Sequence, residues 1–152
     1  MGASLKIGAI LGGASEEQAN LIFEFGEEVG MVFQLQDDLL DTFGDETTFG
    51  KRVGGDILDC KKTYLYVNAM EKLQGAKRDE LLEVYHDLNM DNQIKIAKVQ
   101  ELFREADVID DCKKLMHKHH VKSMDALDKI NLKPEYKQVL SDFAESLLVR
   151  DF

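Results

Sequence analysis

The sequence predicts an all-α protein, and three observations carry that reading. No segment sustains the apolar–polar alternation that a half-buried strand requires. Apolar residues instead recur at intervals of three and four along most of the chain. The 152 residues contain one proline, Pro134, so long periodic segments run without a helix breaker.

Each element follows from local signals. Residues 3–11 read as a short apolar helix closed by Gly12-Gly13. Ser15 followed by Glu16, Glu17 and Gln18 has the form of a capping box, which opens a helix over 16–43. Ile22, Phe25, Val29, Val32, Phe33, Leu40 and Phe43 give it a buried face. At 1.5 Å per residue it is about 40 Å long, a length suited to the centre of a helical bundle. Residues 44–55 form a polar, glycine-rich loop, after which Asp56 is placed to cap a helix ending near Leu73, before Gln74-Gly75. Further helices are expected over 77–88, 92–104, 107–120, 123–131 and 135–149, with Asn92, Ser123 and Pro134 as start signals. There is no internal repeat or linker, so residues 1–152 are expected to form a single all-helical domain.

Composition narrows the function. A formal net charge of −10 argues against nucleic acid, whose binding needs a basic face. An acidic chain can still hold an anion through a metal ion or a few well-placed lysines. Cys60 and Cys112 stand alone in unrelated surroundings, as reduced thiols of a cytoplasmic protein do. Every apolar run is broken well short of the roughly 20 residues a membrane span requires. The opening stretch lacks the charged and apolar regions of a signal peptide, and Lys6 stands where a myristoylation start wants Ser or Thr. The first helix is apolar nearly all round with nothing upstream to cover it. This gives the expectation that the chain is a portion of a longer protein.

The chemistry concentrates in FQLQDDLLD, residues 33–41. Asp37 and Asp41 are four apart and share a helical face, with Asp38 about 100° around. Gly26, Gly30 and Gln34 continue the stripe toward the amino end, and small residues there are expected to leave a pocket beside the helix. Three adjacent carboxylates repel one another, and the carboxy end of a helix adds an unfavourable dipole. A cation relieves both effects, and carboxylates with water and phosphate oxygens are how proteins hold Mg²⁺. Lys51-Arg52 in the following loop suit a diphosphate bridging metal and protein.

Taken together, FQLQDDLLDTFGDETTFGKRVGGDI (33–57) and Lys61-Lys62-Thr63 resemble the second aspartate-rich region of the trans-isoprenyl diphosphate synthases, or polyprenyl synthetases. The resemblance is clearest over 5–70, and the helical tail over 71–152 adds no motif. It implies the helical bundle of the isoprenoid synthases. It also implies a Mg²⁺-dependent prenyltransferase that condenses isopentenyl diphosphate with an allylic diphosphate. By position, Asp37, Asp38 and Asp41 match the metal-binding aspartates, with Asp37 the foremost. Lys51 and Lys61 match basic residues that meet the leaving diphosphate, and Gln34 a polar residue near the reacting allyl group. The full-length protein is implied to be a homodimer.

The departures are equally specific. The family's first aspartate-rich motif and its neighbouring arginine are absent, and the chain is roughly half the family's length. The resemblance therefore implies a carboxy-terminal portion that is not efficiently catalytic alone. A non-catalytic regulatory subunit and a terpene-cyclase-like enzyme are the alternatives. Intact aspartates argue against the former, and the DDLLD spacing with its Gly-Lys loop against the latter. Elsewhere, MHKHH at 116–120 reads as a solvated cationic helix end, Asp110-Asp111 as a solvated face, and Cys60 as an idle thiol.

Overall fold

The computed structural model describes residues 1–44 and 53–148. Eight α-helices occur among the described residues: α1 (Gly2–Leu11), α2 (Glu16–Phe43), α3 (Gly55–Leu58), α4 (Tyr64–Lys72), α5 (Ala76–His86), α6 (Asn92–Glu105), α7 (Val108–Lys129) and α8 (Pro134–Ser146). No strand occurs among the described residues, so the all-α expectation holds. Among the described residues, no helix is long and apolar enough to cross a membrane. The chain divides into two compact units, one formed by Met1–Gln36 with the segment from Lys114 onward, the other by Asp37–Lys113.

In the first unit, α1 lies against α2 through glycines. A Cβ on Gly26 would stand 2.7 Å from the Gly2 Cα, and one on Gly2 would stand 2.8 Å from the Phe23 carbonyl oxygen. Only residues without side chains allow two backbones so close. The glycine stripe expected to border a void is therefore filled at Gly26 by α1. Lys6 reinforces the contact, donating to Asn20 Oδ1 at 2.7 Å. The start of α2 follows the sequence signal, with Ser15 Oγ accepting from the Gln18 N–H at 3.3 Å.

The apolar face of α2 is partly as expected. Ile22, Phe25, Val29 and Val32 are buried, and Leu35 and Leu39 join them. Phe33, expected inside, is 43% exposed. The helices expected over 107–120 and 123–131 are one continuous α7. Ser123 does not start a helix: it is fully buried within α7, and its hydroxyl donates to the His120 carbonyl at 2.7 Å. A serine that bonds back to its own helix does not interrupt it. The MHKHH segment consequently lies mid-helix rather than at a solvated end.

The second unit is built by α3 to α6 with the adjoining ends of α2 and α7. Its buried centre includes Leu39, Ile57, Leu65, Leu81, Tyr85, Val99 and Phe103. The helix expected from Asp56 to Leu73 is two helices. Cys60 takes a positive φ of 53° between them, and Thr63 caps α4 by accepting from the Tyr66 N–H. Asn92 opens α6 from inside the helix, while the cap is Asp91, whose carboxylate accepts from the N–H groups of Gln93 and Ile94. Pro134 occupies the first turn of α8, where its missing N–H costs nothing.

Candidate functional site

The carboxy end of α2 delivers the aspartates into the second unit. Asp37 is exposed, Asp38 is buried and Asp41 is half-buried. Asp38 Oδ2 accepts from the Tyr64 N–H at 3.4 Å, so it meets the first turn of α4. Asp41 does more. Its Oδ2 accepts from the Asp56 N–H at 2.8 Å, and its backbone carbonyl accepts from the Gly54 N–H at 2.6 Å. The short α3 is thereby latched to the last turn of α2, where carbonyls otherwise lack partners.

Two glycines make the latch possible. Gly54 has φ 85°, and a Cβ there would stand 2.5 Å from the Ile96 Cδ1. A Cβ on Gly55 would stand 3.0 Å from Asp41 Oδ1. The first glycine is demanded by backbone conformation and packing, the second by the approach of the carboxylate.

Lys61 returns to the same place. Its ammonium pairs with Asp56 Oδ1 while its side chain stays 58% exposed, so the charge is both anchored and accessible. Its backbone is fixed from two sides: the Lys61 N–H donates to the Asp56 carbonyl at 2.9 Å, and the Lys61 carbonyl accepts from the Tyr85 hydroxyl at 2.6 Å. Carboxylate pairing with Asp56 pushes the Lys61 pKa up. Burial pushes the Asp41 carboxyl above its ordinary range; the Asp56 N–H and the Lys61 ammonium oppose this without cancelling it, and the nearby Asp56 and Asp37 carboxylates add to it. Asp41 is thus a carboxylate whose charge is disfavoured, the condition that a cation relieves.

Gln34 is exposed on α2 in the segment belonging to the first unit. Lys51 lies outside the described residues, as does Arg52. Among the described residues, no three His, Cys, Asp or Glu side chains gather closely enough to hold an ion by themselves. Magnesium does not need such a cage, because it keeps several waters and takes one or two carboxylates with substrate phosphates. An exposed Asp37 and a half-buried, charge-disfavoured Asp41 fit that pattern.

The contributions that sequence reading missed are positional. Asp56, expected as a helix cap, instead ties Asp41 to Lys61. Tyr85, more than twenty residues away in sequence, carried no local signal at all. The Gly54-Gly55-Asp56 string before two lysines was the available clue.

A family model described as polyprenyl synthetase matches residues 1–105. The chain belongs to the polyprenyl synthetase family. A short chain isoprenyl diphosphate synthase of Methanothermobacter thermautotrophicus is 32% identical over 153 residues, covering 99% of this chain and 43% of its own. A geranylgeranyl diphosphate synthase of Sulfolobus acidocaldarius is 33% identical over 138 residues, covering 88% and 40% respectively. The crystal structure of a geranylgeranyl pyrophosphate synthase matches with a TM-score of 0.87 at 35% identity, over 99% of this chain and 47% of that one. The corresponding Pyrococcus horikoshii structure matches with a TM-score of 0.86 at 27% identity, over 99% and 45%. The chain shares the helical fold of these polyprenyl synthetases and spans less than half the length of each.

Proposed function

We propose that this chain forms the second aspartate-rich half of a trans-prenyltransferase active site. The reaction is condensation of isopentenyl diphosphate with an allylic diphosphate to a longer diphosphate of geranyl, farnesyl or geranylgeranyl type. The observation that carries this reading is the latch Asp41–Asp56–Lys61, which brings acidic and basic groups together at one helix end. Relatives named as short chain isoprenyl and geranylgeranyl diphosphate synthases support the substrate class.

In this reading Asp37 and Asp41 hold Mg²⁺, with Asp38 beside them fixing α4 against the aspartate helix. When bound, magnesium would supply Lewis-acid stabilisation of charge on the diphosphate. Lys61 donates hydrogen bonds to diphosphate oxygens, and Asp56 keeps its ammonium from wandering. Lys51 adds a second cation. Gln34 supplies an amide oxygen that favours positive charge developing on the allyl group. The DDxxD string occurs once in the sequence, and the chain by itself is expected to turn over substrate poorly.

Calorimetric titration with inorganic diphosphate, with and without Mg²⁺, tests the reading beside an Asp37→Asn variant. Mg²⁺-dependent binding that weakens at least tenfold in the variant is the expected result. Equal binding without Mg²⁺ would reduce the site to lysine electrostatics and remove the metal role.

A further inference from the structure

The second unit also carries a cleft of about 730 Å³ between α4 and α5. Its walls follow helical spacing. Tyr66 and Met70 lie one turn apart on α4, with Lys62 just ahead of that helix, and Arg78, Leu82 and His86 recur every four residues along α5. Lys62 is thus separated in role from its neighbour Lys61: the latter pairs with Asp56, whereas Lys62 lines the cleft.

The charge of this cleft runs against that of the chain. The chain carries a net charge of −10, with 29 Asp and Glu residues against 19 Lys and Arg. Among the described residues, no ion pair involves Lys62 or Arg78. Both are exposed, and Glu71 is the acid in the lining. His86 Nε2 lies 3.4 Å from the Tyr66 hydroxyl, and the Tyr66 ring stacks on the buried Tyr85 with centroids 4.1 Å apart. The hydroxyl and imidazole are therefore held in place rather than free to reorient. Between the polar groups, Val67 and Leu82 are 43% and 46% exposed, an apolar floor open to solvent.

We infer that this cleft is a binding site, distinct from the aspartate site, for a phosphate or diphosphate ester with a short apolar tail. Lys62 and Arg78 take the anionic oxygens, Tyr66 and His86 give the hydrogen bonds, and the tail lies on Val67, Met70 and Leu82. Two cations that enter no ion pair among the described residues, beside a shared apolar floor, suit a ligand with both characters, and neither bare phosphate nor a hydrocarbon uses the whole lining.

The test is a ¹H–¹⁵N NMR titration of the full chain with geranyl diphosphate in EDTA, so that no metal supports the aspartate site. Shifts are expected at Tyr66, Val67 and Leu82. Inorganic diphosphate should bind the same residues at least tenfold more weakly. Arg78→Glu and Lys62→Glu, both at exposed positions and checked for folding by circular dichroism, should each weaken binding at least fivefold, and Asp37→Asn should not. The inference is overturned if shifts appear only around Asp37, Asp41 and Lys61, or if the charge reversals change nothing. It is also overturned if inorganic diphosphate binds equally well. A further arm uses phosphatidylcholine vesicles containing phosphatidate: sedimentation of the chain with them, lost in Arg78→Glu, would assign the cleft to a lipid surface and overturn the free-ligand reading.

Discussion

At the scale of single residues, burial decides which reactive groups are available. Cys112 is fully buried, and burial with the nearby Asp38 carboxylate pushes its thiol up to about 12. Cys60 is partly exposed and donates to the Tyr85 carbonyl at 3.0 Å. Maleimide at neutral pH is expected to label Cys60 alone in the folded chain and both thiols after denaturation, counted by intact mass; labelling of Cys112 first would contradict the packing. His120 is the opposite kind of case. Its buried Nδ1 has no hydrogen-bond partner among the described residues, and burial lowers its pKa below the ordinary 6.5. Glu145 pulls it back up, and His117 adds to the lowering. Below pH 6.5 the unfolded chain takes the proton first, so stability falls as pH falls through that range toward the folded value. His120→Leu is expected to flatten the decline in urea midpoint between pH 7 and 5; an unchanged slope would place the proton-linked loss elsewhere. The neighbouring His119 meets Glu28 at 2.5 Å, which is why the histidine segment is not the solvated helix end its lysines suggested.

Among the elements, the latch between α2 and α3 joins folding to the site. Gly54→Ala would place a side chain at φ 85° and drive it against Ile96. The left-handed conformation costs about 1–2 kcal/mol for a residue with a Cβ, and overpacking adds about 1–3 kcal/mol. The thermal midpoint should therefore drop, and Mg²⁺-dependent diphosphate binding should weaken beyond the stability loss, because Asp41 and Asp56 depend on this turn. Intact binding in a destabilised Gly54→Ala chain would separate the turn from the site. The sequence made the aspartate helix legible because spacing alone puts Asp37 and Asp41 on one face. It did not show Asp38 turning inward to Tyr64, since a carboxylate's depth depends on what packs over it. Nor did it show α3 as a separate short helix: Asp56 has the chemistry of a cap, but Gly54 makes the turn and Asp56 is committed to Lys61. Likewise Gly26 reads as pocket space until α1 is seen to occupy it.

For the whole molecule, the all-α class was legible because periodicity and the scarcity of proline act along the entire chain, whereas break points such as Ser123 depend on contacts remote in sequence. Net charge acts along the whole chain too, and it yields a test of how an anion is accommodated. A chain at −10 opposes diphosphate at long range, and Lys61 is already committed to Asp56. Diphosphate alone is therefore expected to leave the thermal midpoint nearly unchanged. Mg²⁺ alone should raise it slightly by relieving Asp41 and its neighbours. Both together should raise it most, because a ligand that binds only the folded state at 100 times its Kd stabilises by about 2.7 kcal/mol. For a chain of this size that corresponds to a rise of roughly 5–10 °C. The combined rise should exceed the sum of the separate ones, since each ion completes the other's coordination, and Asp37→Asn should erase the excess. An additive response, or an equal rise with diphosphate alone, would mean that metal and anion occupy unrelated places and that the latch serves the fold rather than a reaction.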